Sequence, residues 1–385
     1  MSTYQITTNS LSSIKNKIRL ALYENLPSGG AKYLMLQNLN FLQNKMDLII
    51  DKFSFEPLPD YFNNFLRYLK YIYISSPFIS KHIATYINNN YDILLVYHSW
   101  LTKSPYFLRN IKIPTIYICH ESLREFYEFE VRRSWSLKDY FVNLCRYPLK
   151  TIDINNIRKH PNITIVANSK HSKSILDDIY NTDCKIIYPG VNPNLYKNNN
   201  NKNKKENAVI SVGSVNSLKG YDHIIRVLSL INKKHRPIFY IVGNGGNQKY
   251  ITYLQALAKS LDVNLKIYLN VSKQQLINLY SRSKIFVYSP LNEPFGIVVL
   301  EALNSGLPIV GDIDGGGYVE VLDAESGFLI KRDNILEWKS KIETLLLSNS
   351  LRERIKQHNI KLGKTYSIYQ YNDKLYKLLK LKASR

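Results

Sequence analysis

An α/β chain built as two doubly wound parallel sheets is what this sequence predicts. Short apolar runs alternate with stretches of helical periodicity from end to end, the pattern of strand–helix units feeding a parallel sheet. The runs are apolar throughout instead of alternating, as strands buried on both faces are. And 385 residues, 45% of them hydrophobic, suffice for two cores of ordinary size.

Taken in order, Lys17-Ile-Arg-Leu-Ala-Leu-Tyr23 reads as a first, central strand. It runs into Pro27-Ser-Gly-Gly-Ala31, where glycine permits positive φ and close ligand approach. A helix over Ala31 to Gln43 and a strand at Asp47 to Ile50 follow. Between Asp60 and Asn90 the pattern is helical, and Phe62, Phe65, Leu66, Leu69 and Ile72 form a stripe assigned to the core. Asp92 to Val96 and Thr115 to Cys119 are further buried strands, ending in Tyr97-His98 and His120-Glu121. Residues 122 to 160 read as an irregular helical insertion, and Ile163 to Ala167 returns to the sheet. The polar run Asn198 to Asn207 has nothing to bury and reads as a flexible surface loop. Beyond it the alternation repeats: strands at Val209 to Gly213, Ile238 to Val242, Leu265 to Leu269, Ile285 to Ser289 and Leu307 to Val310, with a helix from Tyr221.

Composition narrows the function classes. No run of about 18 apolar residues predicts a membrane span, and Met1-Ser-Thr-Tyr-Gln-Ile lacks the pattern of a signal peptide. Cys119, Cys145 and Cys184 are too few and too scattered for a disulfide framework or a zinc site. A cytoplasmic location is expected. Against 30 Asp and Glu stand 52 Lys and Arg, a net charge of +22. That balance either draws anionic partners, lipid headgroups or nucleic acid, or reflects the Lys-, Asn-, Ile- and Tyr-rich bias an A·T-rich gene would encode.

The most informative stretch is Glu293-Pro-Phe-Gly-Ile-Val-Val-Leu-Glu301. It follows a buried strand, and Ile297 to Leu303 after it reads as a buried helix stopped by Gly306. One carboxylate then sits in a strand-to-helix turn and the other on the first turns of the helix. Free N–H groups at a helix start suit a diphosphate, and such turns at the carboxyl ends of parallel strands are where open α/β sheets bind ligands.

This stretch resembles the E-x7-E signature of the family-4 retaining glycosyltransferases, which have the two-domain GT-B fold. Further segments resemble the family in the same order: Ser28-Gly-Gly-Ala31, Ala167-Asn-Ser-Lys170, Ile187-Tyr-Pro-Gly-Val-Asn192, and Val212-Gly213 with Lys219-Gly220. The resemblance covers roughly residues 17 to 365 and is weakest over 122 to 160. It implies an N-terminal Rossmann-like acceptor domain over 1–190, a C-terminal nucleotide-sugar domain over 191–365, and a last helix, 366–385, crossing back to the first. The two domains would face an interdomain cleft.

By that resemblance the reaction moves a sugar from a UDP- or GDP-sugar to a glycan, lipid-linked or other hydroxyl acceptor, with retained configuration and no metal or other cofactor. Lys219 would meet the diphosphate, Glu301 the ribose diol, and Glu293 and His120 the donor sugar. Gly29, Gly30, Gly213, Pro294, Phe295, Gly296, Ile297 and Val298 would line the donor site. The family's arginine after the glycine is Ser214 here, which removes one of two expected cations. Gly315-Gly-Gly317, with Glu320 after it, reads equally as a turn at the cleft or a surface turn, and His98 repeats the strand-end geometry of His120. Between Arg132 and Lys159 the insertion carries seven basic residues, among them Arg132, Arg133 and Lys138, with only Asp139 and Asp153 as acids. Trp135, Tyr140, Phe141 and Tyr147 interleave with them, so the segment suits an anionic membrane surface, a single-stranded nucleic acid or a solvated helical pair. Lipid-linked acceptors in the family favour the membrane, with peripheral attachment; nucleic acid ranks second. Phosphorylases share the fold but bind pyridoxal through a lysine that nothing here marks. A basic DNA-binding or DNA-modifying protein with altered or lost transfer is the alternative of a different class.

Overall fold

The computed structural model describes residues 17–27, 29–57, 64–128, 131, 137–196 and 205–384. Ser28, Phe62, Arg132, Arg133, Trp135 and most of the Asn198 to Asn207 run lie outside the described residues. Two compact units divide the chain: one runs to Tyr188 and takes in Tyr371–Arg385, and the other is Pro189–Gln370.

The first unit contains strands β1 (Ile18–Asn25), β2 (Leu48–Phe53), β3 (Ile93–Ser99), β4 (Thr115–Ile118), β5 (Ile163–Ala167) and β6 (Lys185–Ile186). They pair in parallel in the order β2-β1-β3-β4-β5-β6. Every residue of β3 and β4 is buried, which is why these strands read as unbroken apolar runs. Helix α1 (Gly30–Gln43) follows β1. The core joins Ala21, Tyr23, Leu94, Val96, Tyr117, Ile165 and their neighbours.

From Phe65 to Asn90 the chain is helical, as α2 (Phe65–Lys70), a π-turn (Tyr71–Ser75) and α3 (Ser76–Asn90). Here the expected core stripe is corrected. Ile72 is fully buried, but Leu66 is 77% exposed, and Ile74 and Phe78 also face solvent. Phe65 and Leu69 are half-buried on the same line as Ile72, while Leu66, one residue on from Phe65, stands about 100° around the helix from it. The insertion that follows β4 is helical, with α4 (Arg124–Tyr127), α5 (Leu137–Arg146) and α6 (Pro148–Arg158), and α7 (Lys170–Tyr180) follows β5. The three cysteines are unbonded, Cys119 and Cys184 being buried.

The second unit holds β7 (Ala208–Val212), α8 (Tyr221–Ser229), β8 (Ile238–Gly243), α9 (Gln248–Ser260), β9 (Leu265–Leu269), α10 (Lys273–Arg282) and β10 (Ile285–Tyr288). It continues with α11 (Ile297–Asn304), β11 (Ile309–Asp312), β12 (Gly327–Ile330), α12 (Ile335–Leu347) and α13 (Asn349–Lys364). Its parallel order is β12-β11-β10-β7-β8-β9. The direction of winding therefore reverses between β7 and β10, and crevices for ligands open at such a switch. Trp338 and Ile342 of α12 are buried against Ile224, Val209, Val287 and Val310 in one core.

The last helix, α14 (Ile368–Ala383), begins in the second unit and continues in the first from Tyr371. There Asn38 donates to Asn372 Oδ1 at 3.1 Å, and Tyr376 and Lys380 both reach the Asp47 carboxylate, at 2.8 and 2.5 Å. Within the second unit, the Pro189-Gly190-Val191 segment lies beside the chain that leads into this helix. Val191 N–H donates to Tyr366 O at 3.1 Å, and Ile368 N–H donates to Val191 O at 3.0 Å. A Cβ on Gly190 would stand 2.3 Å from the Ser367 carbonyl. No side chain fits between two backbones that close, which gives this motif glycine a physical reason. Gly190→Ala should therefore part the two segments and lower stability by about 3 kcal/mol, the upper end for an overpacked site. Urea unfolding of the variant beside wild type checks this.

Candidate functional site

The loops leaving β7 and β10 meet at the reversal of the second sheet. After β7, Gly213 adopts φ +154° and its carbonyl accepts from the Tyr221 hydroxyl at 2.9 Å. The chain then makes a 3-10 turn, Ser217–Lys219, capped by the Asn216 side chain, which accepts from Leu218 N–H at 3.1 Å. Gly220 follows at φ +65° and starts α8. This geometry lays the Lys219 stem along Gly213, whose absent Cβ would sit 3.2 Å from Lys219 Cε. The ammonium points to Glu293 in the loop after β10 and forms an ion pair with Oε2. It also lies 6.0 Å from the Tyr288 ring. Only 16% of the lysine side chain and 14% of the glutamate are exposed, so the pair sits in a partly dehydrated recess.

Glycines hold Glu293 in place. Its N–H donates to Gly315 O and its carbonyl accepts from Gly317 N–H, each at 2.8 Å. Gly316, at φ +117°, passes so close that a Cβ would lie 2.2 Å from Glu293 O. Gly315-Gly-Gly317 is thus a support for the first motif carboxylate. Gly296 at φ +75° turns the chain into α11. Phe295 is buried, while Pro294, Ile297 and Val298 are partly exposed at the helix start. Ser214 is exposed beside Gly213.

Glu301, on α11, is 7% exposed. Its Oε1 pairs with Lys273, and its Oε2 accepts from the Tyr280 hydroxyl at 3.1 Å. Lys273 opens α10 and its ammonium lies 5.5 Å from the Tyr196 ring. Sequence reasoning missed Lys273, although a signal existed: Ser272 and Gln275 form a capping box, a pattern that marks a helix start one residue before it. Arg332 was missed too. Its guanidinium donates to Ser289 O at 2.6 Å and packs against Gly220, fastening the two site loops together. Nothing in the sequence near Arg332 announces that contact.

In the first unit, Gly29 and Gly30 lie at the start of α1, and a Cβ on Gly29 would meet nothing within 4 Å. His120 follows β4, its ring edge-to-face with His98 at 5.4 Å. His120 Nε2 and His98 Nδ1 are buried without a hydrogen-bond partner. Burial holds both imidazoles neutral, pushing His120 down to about 4 and His98 well below its ordinary value, with the Lys103 charge acting in the same direction. Lys103 is bound to Glu121 at 2.6 Å. Burial raises the Glu121 carboxyl, but Lys103 and the neighbouring cations outweigh it and bring it to about 2. The second-unit residues Gly213, Lys219 and Glu293 are therefore brought together, with Glu301 further along the same motif, while His120 and the glycine loop belong to the first unit. Of the insertion residues, Lys138 is exposed on α5. Among the described residues, no group of three His, Cys, Asp or Glu side chains is placed to hold a metal ion.

With this geometry in view, residues 194–362 match the family described as glycosyl transferases group 1. The match covers most of the second unit. Among curated relatives, an uncharacterized glycosyltransferase of Haemophilus influenzae is 28% identical over 207 residues, 53% of this chain and 57% of that one. Another, from Methanocaldococcus jannaschii, is 30% identical over 178 residues, 42% and 45% of the respective chains. The chain thus spans about half the length of these relatives. The crystal structure of Anabaena HepE in complex with UDP and glucose superposes over 94% of this chain and 99% of that one, with a TM-score of 0.70 at 15% identity. The fold is GT-B, two Rossmann-like units of six parallel strands each.

Two predictions come from these glycosyltransferase-fold units. Gly316→Ala meets both a left-handed φ and the Glu293 backbone, and should destabilise the second unit by about 3 kcal/mol or more; a thermal scan against wild type measures it. The two neutral imidazoles make stability pH-dependent. Above about 6.5 they are neutral both folded and unfolded, so they contribute no slope. As pH falls towards 4, only the unfolded chain takes up the protons, and stability drops. Asp153 and Glu56, both raised by burial, act in the opposite sense, so the readout is a difference. Relative to wild type, a His98→Asn/His120→Asn variant should lose less stability between pH 7 and pH 4.5, by about 2 kcal/mol per imidazole. Parallel urea curves at the two pH values would show it.

Proposed function

We propose that this protein is a retaining, family-4 glycosyltransferase that moves a sugar from a nucleotide diphosphate donor, UDP- or GDP-linked, to a hydroxyl of a glycan or lipid-linked acceptor. The observation that carries the proposal is the meeting of Lys219 with Glu293 at the strand reversal, eight positions before the buried Glu301. The group 1 family match covers this whole region, and the related fold of HepE was crystallised with UDP and glucose.

Sugar transfer leaves a nucleoside diphosphate on which negative charge grows, and preorganised cations and helix-start N–H groups stabilise such a leaving group. Lys219 is placed for that role. On donor binding it would exchange the Glu293 carboxylate for a phosphate oxygen, freeing Glu293 to accept hydrogen bonds from the donor sugar. The first turn of α11 adds the amide dipoles of Ile297 and Val298. Glu301 would accept both hydroxyls of the ribose, as a carboxylate can from a vicinal diol, with Tyr280 and Lys273 fixing its orientation. His120, neutral at physiological pH, would offer its unpartnered Nε2 to a sugar hydroxyl. No metal is asked of this reaction.

The roles separate by kinetics. Glu301→Gln should mainly raise the donor KM, by about tenfold or more, because ribose contacts hold ground and transition states alike. Glu293→Gln should mainly lower kcat, since its contacts lie at the reacting sugar. Lys219→Ala should lower kcat/KM by about 10²–10³. Ser214 is exposed beside Gly213, so Ser214→Arg has room, and it should tighten nucleoside diphosphate binding by roughly 1 kcal/mol. A screen of nucleotide sugars for released nucleoside diphosphate, then steady-state kinetics and calorimetry on the four variants, tests the reading. Wild-type kinetics in both glutamate variants would sink it.

A further inference from the structure

A lysine of the first unit is held in a conformation lysines seldom take. Lys103, in the loop after β3, has φ +56°, in the left-handed region. Hydrogen bonds fix the loop around it. Ser99 N–H donates to Lys103 O at 2.7 Å, and Lys103 N–H donates back to Ser99 O at 3.0 Å. Ser99 Oγ accepts from Leu101 N–H at 3.0 Å, and Ser104 N–H donates to the buried Asp153 carboxylate at 2.9 Å. The lysine side chain is turned inward, 10% exposed, and its ammonium donates to Glu121 Oε1 at 2.6 Å. Backbone strain that the surroundings over-determine points to a use for the residue held there.

What adjoins the ion pair identifies the use. Glu121 directly follows His120, whose ring stands edge-to-face with His98 of β3. Lys103 and Glu121 are the charges that act on both rings. On α4 beyond them, Arg124 is bound to Glu128 and Glu125 to Arg146, and the nearby Cys119 thiol is buried and its proton held by that burial. A carboxylate without a cation beside an imidazole favours the imidazolium and pairs with it. An imidazole so engaged has both ring nitrogens donating and loses its accepting lone pair. Lys103 prevents this by occupying the carboxylate itself. The main chain of the histidine is fixed separately, since Asn168 Nδ2 donates to His120 O at 2.9 Å. We propose that Lys103 is a positioning residue for sugar transfer, which by binding Glu121 keeps that carboxylate from claiming His98 and His120 and leaves His120 Nε2 open to a substrate hydroxyl. The proposal rests on the sugar-transfer role given to His120.

Magnetic resonance of the full chain, isotope-labelled in its histidines, follows each imidazole with pH, and His98→Asn and His120→Asn assign the two signals. In wild type His120 should stay neutral until pH approaches about 4. Lys103→Met keeps a stem of similar length and removes the charge, while Glu121, 37% exposed, remains ionised in contact with water. There His120 should take up its proton near or above the ordinary value of about 6.5. Lys103→Arg should keep the wild-type titration, and Lys103→Met/Glu121→Gln should restore it, because the carboxylate charge leaves with the ammonium. A merely structural lysine would not be rescued by removing its partner. Turnover should follow the titration. At about pH 5.5, kcat/KM of Lys103→Met should be lower by about tenfold or more, recover most of that loss by about pH 8, and return to within about threefold of wild type when Glu121→Gln is added. Should Lys103→Met not fold, Lys103→Gln removes the same charge. An unmoved His120 titration beside normal turnover would overturn the proposal alone, as would a moved titration with a wild-type pH profile or no rescue by Glu121→Gln. Absence of turnover by wild type with every nucleotide sugar would overturn the sugar-transfer reading and the proposal with it.

Discussion

The second unit rests on one pairing, β7 beside β10, strands far apart in the chain. Ile285 aligns with Val209 and Phe286 with Ile210. All four are fully buried, so apolar burial on both faces of the sheet drives the contact. Because the chain winds away from β7 in one direction and from β10 in the other, the loops at their carboxyl ends part, and no crossover helix closes the gap between them. Lys219 and Glu293, 74 residues apart, meet in that gap. A fold that placed β8 next to β10 would bury the same strands and bring no cation to this carboxylate.

Close backbone approach then fixes the loops. Cβ atoms on Gly220, Gly316 and Gly190 would stand 2.0, 2.2 and 2.3 Å from the carbonyl oxygens of Ser289, Glu293 and Ser367. Each of these glycines belongs to a segment with a functional look, yet each is required by protein packing against its own chain. Gly29 is different. Open space surrounds the position of its missing Cβ, so packing does not demand a glycine there. Its backbone at φ +155° does favour one. Reading every motif glycine as an approach path for phosphate would therefore merge two causes that the coordinates separate.

What could be read in the sequence follows the same physics. Central strands such as β3, β7 and β10 are buried on both faces, so they appear as unbroken apolar runs and were legible. The motif carboxylates were legible because a strand, a turn and a buried helix follow one another within the motif. The edge strands β2 and β9 were legible too, but β6, with two residues, and β12, which begins with Gly327 and is only partly buried, were not. Leu66 was misread because its apolar character alone put it in the stripe, although it stands about 100° around the helix from Phe65. Lys273 and Arg332 escaped for another reason. Their partners, Glu301 and Ser289, lie 28 and 43 residues away, and pairing at that distance is decided by strand order, not by local pattern.

The two motif carboxylates share one electrostatic design. Glu293 holds Lys219 and Glu301 holds Lys273, and in both pairs the carboxylate is mostly withdrawn from water. A charge left alone in such a recess is costly, so each needs a new ion-pair or hydrogen-bond partner when its first is taken. In the proposed reaction a nucleoside diphosphate would bring its own negative charge, so Lys219 could pass from carboxylate to phosphate, and hydrogen bonds from the donor sugar would take its place on Glu293. The same step would uncover Glu293 only when a donor is present. Glu301 needs no such release: Tyr280 and Lys273 each occupy one oxygen, and a carboxylate oxygen has a second lone pair for a ribose hydroxyl. The different settings of the two glutamates, one exchangeable and one held, are what would let a single short motif both grip a nucleotide and respond to its arrival.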